Sequence, residues 1–145
     1  MTDGLKGIKT VRDFELKGKT VFLRLDLNVP MDVSGHITDE TRITAALPTM
    51  KYCLEKGAKL IIASHLGRPK SAADRQYSME PVAQRVGELL DVEVVLMDEP
   101  DSEGVKHILY GPMKNQIICL ENLRFDPGEV ENSTELAVMW TSYAD

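Results

Sequence analysis

Thr20-Val-Phe-Leu-Arg-Leu-Asp-Leu-Asn-Val-Pro30 is the stretch that decides how this chain folds. Its odd positions, Val21, Leu23, Leu25, Leu27 and Val29, are all aliphatic, whereas its even positions run Phe22, Arg24, Asp26, Asn28. Successive side chains of a strand point to opposite faces. The pattern therefore predicts a strand over residues 20–27 with one apolar face and one that becomes polar towards its carboxyl end, closed by Pro30. Three more apolar segments follow: Lys59-Leu-Ile-Ile-Ala-Ser64, Val92-Glu-Val-Val-Leu-Met97 and Gln116-Ile-Ile-Cys-Leu120. The first and last of these are short continuous runs, as in strands covered on both faces.

Helical periodicity fills the gaps. Residues 39–56 carry Ile43, Leu47, Met50 and Leu54 at spacings of three and four, with Pro48 inside predicting a kink or a two-part helix and Gly57 a stop. Ser78 is placed to N-cap a helix bearing Val82, Val86, Leu89 and Leu90. A further helix is predicted over Ser102–Tyr110. Asn132 and Glu135 have capping-box spacing before an apolar stripe of Leu136, Met139, Trp140 and Tyr143. Strands alternating with helices predict an α/β fold: a three-layer α/β/α, Rossmann-like parallel sheet with helices on both faces.

Composition narrows the function classes. The 145 residues amount to one domain, and 17 Lys+Arg against 23 Asp+Glu give a net charge of −6. That balance argues against a nucleic-acid binder, which needs a basic field. No apolar run approaches the ~18 residues that span a bilayer. The opening residues, MTDGLKGIKT, lack the apolar core of a signal peptide. Cys53 and Cys119 form neither a disulfide framework nor a CxxC pair and are expected to be buried thiols. These features point to a soluble cytoplasmic protein. His36, in a turn-like stretch, and His107 are expected to be surface residues. The seven methionines are scattered at core-like positions, and Trp140 and Tyr143 are expected to pack the last helix on the sheet.

In parallel sheets, ligands bind beyond the carboxyl ends of the strands. The first strand ends in Asp26 and Asn28, placed to meet a ligand's hydroxyls. Arg24 and Asp26 share its polar face, and pairing between them would make Arg24 structural. The second strand breaks into His65-Leu66-Gly67-Arg68-Pro69, where Gly67 permits a tight turn and Arg68 offers a planar fork for carboxylate or phosphate. Beyond the fourth strand stands Arg124. Arg42 lies in the first turn of a helix, where a cation gains nothing from the helix dipole, so an anion bound there would explain it. Each residue also has a plainer reading as a solvated strand end or a surface arginine. Together they indicate a small-anion site.

The same segments resemble the phosphoglycerate kinase family. They are Leu23-Arg-Leu-Asp-Leu-Asn-Val-Pro30, Ile37-Thr-Asp-Glu-Thr-Arg-Ile43, Ala45-Ala-Leu-Pro-Thr49, Ser64-His-Leu-Gly-Arg-Pro-Lys70 and Leu120-Glu-Asn-Leu-Arg-Phe125, in family order and with family spacing. The resemblance covers essentially the whole chain and is weakest over residues 91–115. It implies reversible phosphoryl transfer between 1,3-bisphosphoglycerate and ADP in glycolysis and gluconeogenesis. It also implies two α/β domains facing a cleft. Asp26, Leu27, Asn28, Arg42, His65, Leu66, Gly67, Arg68 and Arg124 become the expected substrate-binding set for 3-phosphoglycerate or 1,3-bisphosphoglycerate. Within it, Arg42 is the expected catalytic residue.

The resemblance also implies what is missing. The family continues beyond Asp145 into another strand, a loop with a further substrate-binding arginine, a hinge and a nucleotide domain. Residues 1–145 are accordingly expected to form a single, partial N-terminal domain. Mg-ATP or Mg-ADP would be bound by the missing domain, and this chain has neither GxxxxGK[ST] nor GxGxxG. The chain alone is expected to lack turnover. Alternative readings are a non-catalytic anion-binding module or a folding and assembly fragment. In the family's strand order these four strands are neighbours, with residues 20–27 left at an edge. The family is usually monomeric, but that edge is expected to promote self-association here.

Overall fold

The computed structural model describes residues 6–98, 102–110 and 116–145. Four parallel strands, β1 (Thr20–Arg24), β2 (Lys59–Ala63), β3 (Glu93–Met97) and β4 (Gln116–Leu120), form one sheet in the order β1-β2-β4-β3. Four helices accompany them: α1 (Thr41–Glu55), α2 (Glu80–Leu90), α3 (Ser102–Tyr110) and α4 (Thr134–Thr141).

The alternation in the strands sorts the core into two layers. Val21, Leu23, Leu60, Ile62, Ile117 and Cys119 face one way and pack with Ile43, Met50 and Cys53 of α1 and Val82 and Val86 of α2. Phe22, Ile61, Ala63, Ile118 and Leu120 face the other way, towards Ile108 of α3 and Met139, Trp140 and Tyr143 at the end of α4. The result is the three-layer α/β/α architecture. The Trp140 ring stacks on Phe22 with centroids 6.3 Å apart, and Tyr143 is buried. Both cysteines are buried and free, and burial pushes the Cys119 thiol up to about 12. Met50 and Met79 are fully buried, Met31, Met97 and Met139 partly so; Met1 and Met113 lie outside the described residues. His36 and His107 are exposed.

Several boundaries differ from the sequence expectation. The β1 ladder stops at Arg24, three residues before Leu27. Leu25 N–H still reaches the Ala63 carbonyl at 2.9 Å, but Leu27 N–H donates to the Ser64 hydroxyl at 3.0 Å, so a side chain replaces the neighbouring backbone. β2 ends at Ala63 and β3 begins at Glu93, because Val92 N–H closes the end of α2 on the Gly87 carbonyl at 3.1 Å.

α1 starts at Thr41 rather than residue 39; the Asp39 carboxylate accepts from Thr41 N–H at 2.7 Å. It is one helix, not two. Pro48 lies on its exposed side, while Met50 and Cys53 beyond it are anchored in the core. α2 begins after Met79; Ser78 Oγ accepts from Glu80 N–H while also donating to Glu121. The cap of α4 is Ser133, whose hydroxyl accepts from Leu136 N–H at 3.3 Å, and Asn132 takes a left-handed conformation at φ 58°. Among the described residues, no helix is long and apolar enough to cross a membrane.

Candidate functional site

The sheet order puts the carboxyl ends of β1, β2 and β4 side by side. The loops leaving them are stitched together by buried and half-buried polar side chains. Ser64 Oγ holds Leu27 N–H, and Asn28 Oδ1 accepts from Gly67 N–H at 2.9 Å. Asn122 does most of this work. Its Oδ1 accepts from Leu66 N–H at 3.2 Å and Arg124 N–H at 3.0 Å, and its Nδ2 donates to the carbonyls of Leu66 at 2.7 Å and Tyr77 at 2.9 Å. Glu121, also buried, accepts from Met79 N–H at 2.6 Å, Asn122 N–H at 2.8 Å and Ser78 Oγ at 2.8 Å, tying the start of α2 to the end of β4. Buried polar groups are costly unless paired, so this network fixes the loops rather than leaving them to wander.

An open cleft of about 1040 Å³ lies beside the loops that leave β1 and β2, lined by Asn28, Met31, Thr41, Arg42, Gly67 and Tyr77 among others. Gly67 has φ +59°, and a Cβ there would sit 2.4 Å from two ring carbons of Tyr77. Only glycine lets the backbone pass beneath that ring. The half-exposed Arg42 guanidinium donates to the Asn28 carbonyl and approaches Asp26 Oδ1 at 3.4 Å. Among the described residues Asn28 Nδ2 has no partner, which leaves a donor at the cleft wall. Leu27 and Leu66 are buried, and each has its N–H and its carbonyl engaged within the protein.

The remaining basic residues of the expected set do not line this cleft. Arg124 Nε donates to Glu129 Oε2 at 3.1 Å, and Arg24 donates to Glu129 Oε1. Arg24 is therefore paired with Glu129 and not with Asp26, whose partner is Arg42. His65 is half-buried within electrostatic reach of Arg124, Glu129 and Asp26; burial, and then Arg124, hold its pKa below the ordinary value. Arg68 is exposed and has no partner among the described residues. Burial raises the Glu129 carboxyl, but hydrogen bonds from Arg24 and Arg124 outweigh it and hold the group below the usual carboxylate range.

The sequence singles out Arg42 together with Asp26 and Asn28, which hold it, but not Glu121, Asn122 or Glu129. Glu121 and Asn122 stand directly after an apolar strand, which was a legible signal. Glu129, in a polar turn, gave none. Among the described residues, no three His, Cys, Asp or Glu side chains converge in the manner of a metal cage.

The sequence profile of the phosphoglycerate kinase family matches residues 11–145. The chain belongs to the phosphoglycerate kinase family. A phosphoglycerate kinase from Bdellovibrio bacteriovorus is 61% identical over 145 residues, all of this chain and 36% of that protein. One from Fervidobacterium nodosum is 48% identical over 136 residues, 94% of this chain and 34% of that protein. The structure of phosphoglycerate kinase from Coxiella burnetii superposes with a TM-score of 0.77 at 37% identity, covering 93% of this chain and 33% of that one. The enzyme from Pyrococcus horikoshii gives 0.75 at 34% identity, covering 93% and 34%. The chain therefore spans about a third of the length of these phosphoglycerate kinases and matches their N-terminal domain.

Proposed function

We propose that residues 1–145 form the phosphoglycerate-binding part of a phosphoglycerate kinase, a single partial domain that takes 3-phosphoglycerate or 1,3-bisphosphoglycerate at the carboxyl ends of β1, β2 and β4. One observation carries this reading. Asn28, Arg42 and Gly67 line a single cleft, and Asp26 links it to the basic group around His65 and Arg124 by pairing with Arg42 and influencing His65. Arg42, His65, Arg68 and Arg124 all follow the β1, β2 and β4 strands, the side of a parallel sheet on which ligands bind.

In this reading Asp26 and the Nδ2 of Asn28 hold the glycerate end. His65, Arg68 and Arg124 meet the anionic groups, Arg124 and Arg68 through guanidinium forks suited to carboxylate or phosphate. Leu27 and Leu66 act through their backbone commitments, keeping the loop in register, and Gly67 brings the chain close to the ligand. Arg42 is the catalytic residue. Its guanidinium reaches into the open cleft, where it neutralises charge on the phosphoryl oxygens during transfer. Mg-ATP or Mg-ADP supplies the phosphoryl donor or acceptor when bound, and no motif of this chain is suited to hold it. The chain alone accordingly binds its acidic substrate without turning it over.

A two-dimensional amide NMR titration with 3-phosphoglycerate tests the site. Saturable shifts at Asp26, Arg42, His65 and Arg68 are expected; a dispersed spectrum indifferent to the ligand would overturn the site. A coupled assay of the same chain should show no turnover, and measurable activity would overturn the division of labour.

A further inference from the structure

Glu129 is a buried carboxylate that nothing in the family resemblance required. Its side chain is only 7% exposed, while those of its partners Arg24 and Arg124 are 51% and 32% exposed. One acid therefore sits beneath two guanidinium groups whose outer edges reach solvent. Arg24 comes from β1 and Arg124 from the turn after β4, two strands separated in the sheet by β2. The contact between Arg24 and Glu129 joins residues 105 apart in sequence.

The way Arg124 is held matters chemically. It gives its Nε to Glu129. Its two terminal nitrogens, the pair that forms the end-on fork for an oxyanion, have no partner among the described residues. Without an anchor at Nε, a half-exposed arginine samples several rotamers and loses that freedom on binding. The anchor itself is rigid. Glu129 N–H donates to the Asp126 carbonyl at 3.2 Å, and Gly128 N–H donates to Asp126 Oδ1 at 2.8 Å. A Cβ on Gly128 would lie 2.9 Å from Ser133 Cβ, so the turn is packed directly against the start of α4.

We propose that Glu129 is a positioning residue for the anion site: its carboxylate holds Arg124 by Nε so that the terminal fork faces an incoming carboxylate or phosphate, with Arg24 gathered alongside as a second counter-charge. The inference rests on the reading of the cleft as an oxyanion site and adds the group that preorganises it.

Charge alone and positioning predict opposite signs, which makes the test sharp. Glu129→Gln removes a negative charge beside the site. If Glu129 only neutralised its surroundings, the variant would bind anions more tightly. If it positions Arg124, the variant binds more weakly, by roughly tenfold or more, the usual worth of a charge-assisted contact. The experiment compares the 145-residue wild type, Glu129→Gln and Glu129→Asp, with 3-phosphoglycerate and with inorganic phosphate as probes. Affinity is read from amide NMR shifts, and the Arg124 Nε–H exchange rate is read without ligand.

The expected result is weaker binding of both probes by Glu129→Gln, faster Arg124 Nε–H exchange, unchanged amide dispersion, and partial recovery in Glu129→Asp. Equal or tighter binding by Glu129→Gln overturns the proposal while leaving the substrate site intact. If the wild type binds phosphate but not 3-phosphoglycerate, the substrate reading fails. The positioning role then stands or falls on the phosphate arm. If the wild type binds neither probe, both are overturned. Should Glu129→Gln lose its dispersed spectrum, Glu129→Asp decides: its carboxylate is drawn back by one methylene, so weaker binding supports the role and wild-type affinity overturns it.

Discussion

Arg42 and His65 are held in different ways. Arg42 is anchored by a carbonyl and a long contact to an exposed carboxylate, a weak tether that a ligand can share or replace. In a full-length enzyme carrying this domain, Arg42→Ala is expected to lower kcat by about 10²–10³, the cost of removing a donor aimed at transition-state charge, with a much smaller change in 3-phosphoglycerate KM. A pure KM effect in steady-state kinetics would remove its transition-state role. Burial, and then Arg124, lower the His65 pKa below its ordinary value. Its folded pKa lies below the unfolded one, so below the ordinary value of 6.5 the unfolded chain binds the proton more readily. The contribution of His65 to stability is therefore complete above that pH and declines as pH falls. An anion beside the ring favours the protonated form. In an NMR titration of the imidazole carbon-bound protons, 3-phosphoglycerate is expected to move the His65 midpoint upwards; no movement would place the anion elsewhere.

At the scale of elements, the site is built by loops that the sheet alone does not fix. Asn122 satisfies groups on three segments, Leu66, Tyr77 and Arg124, from a position that is almost fully buried. Asn122→Ala would strand several buried N–H and carbonyl groups at once. The expected cost is about 2–4 kcal/mol in urea denaturation, with a loss of phosphoglycerate affinity in the variant that remains folded. A change under about 0.5 kcal/mol, the range of an ordinary surface substitution, would mean that water replaces the side chain at little cost. Pro48 teaches the converse lesson. Its local cost is real, but burial of Ile43 before it and Met50 and Cys53 after it keeps α1 in one piece.

At the scale of the whole molecule, the sheet has β1 at one edge. Asp145 covers only its first residue, donating its N–H to the Thr20 carbonyl at 3.0 Å and accepting from Thr20 N–H at 2.8 Å. An edge with partly exposed Val21, Phe22 and Leu23 is a template for another strand. Sedimentation velocity on the 145-residue chain is expected to show concentration-dependent association. A clean monomer at the highest soluble concentration would overturn this expectation.

The sequence by itself determined the layers. Alternation in residues 20–29 assigned Val21, Phe22 and Leu23 of β1 to their observed faces, and the apolar runs of β2 and β4 marked the strands buried on both sides. It also singled out Asp26, Asn28, His65, Arg68 and Arg124 as candidates, because polar residues just beyond an apolar strand stand out locally, and Arg42 because a cation in the first turn of a helix does. Helix caps were less legible: Asn132 and Ser133 both suit the role, and only the left-handed turn at Asn132 selects Ser133. Tertiary structure decided who pairs with whom. Arg24 has a carboxylate two residues away and binds Glu129 instead, because Asp26 is drawn to Arg42 and the turn after β4 delivers a buried acid beside β1. Hydrophobic burial is periodic along the chain and can be read there. Ion pairing depends on distances across the folded sheet, and those exist only once β1, β2 and β4 lie side by side.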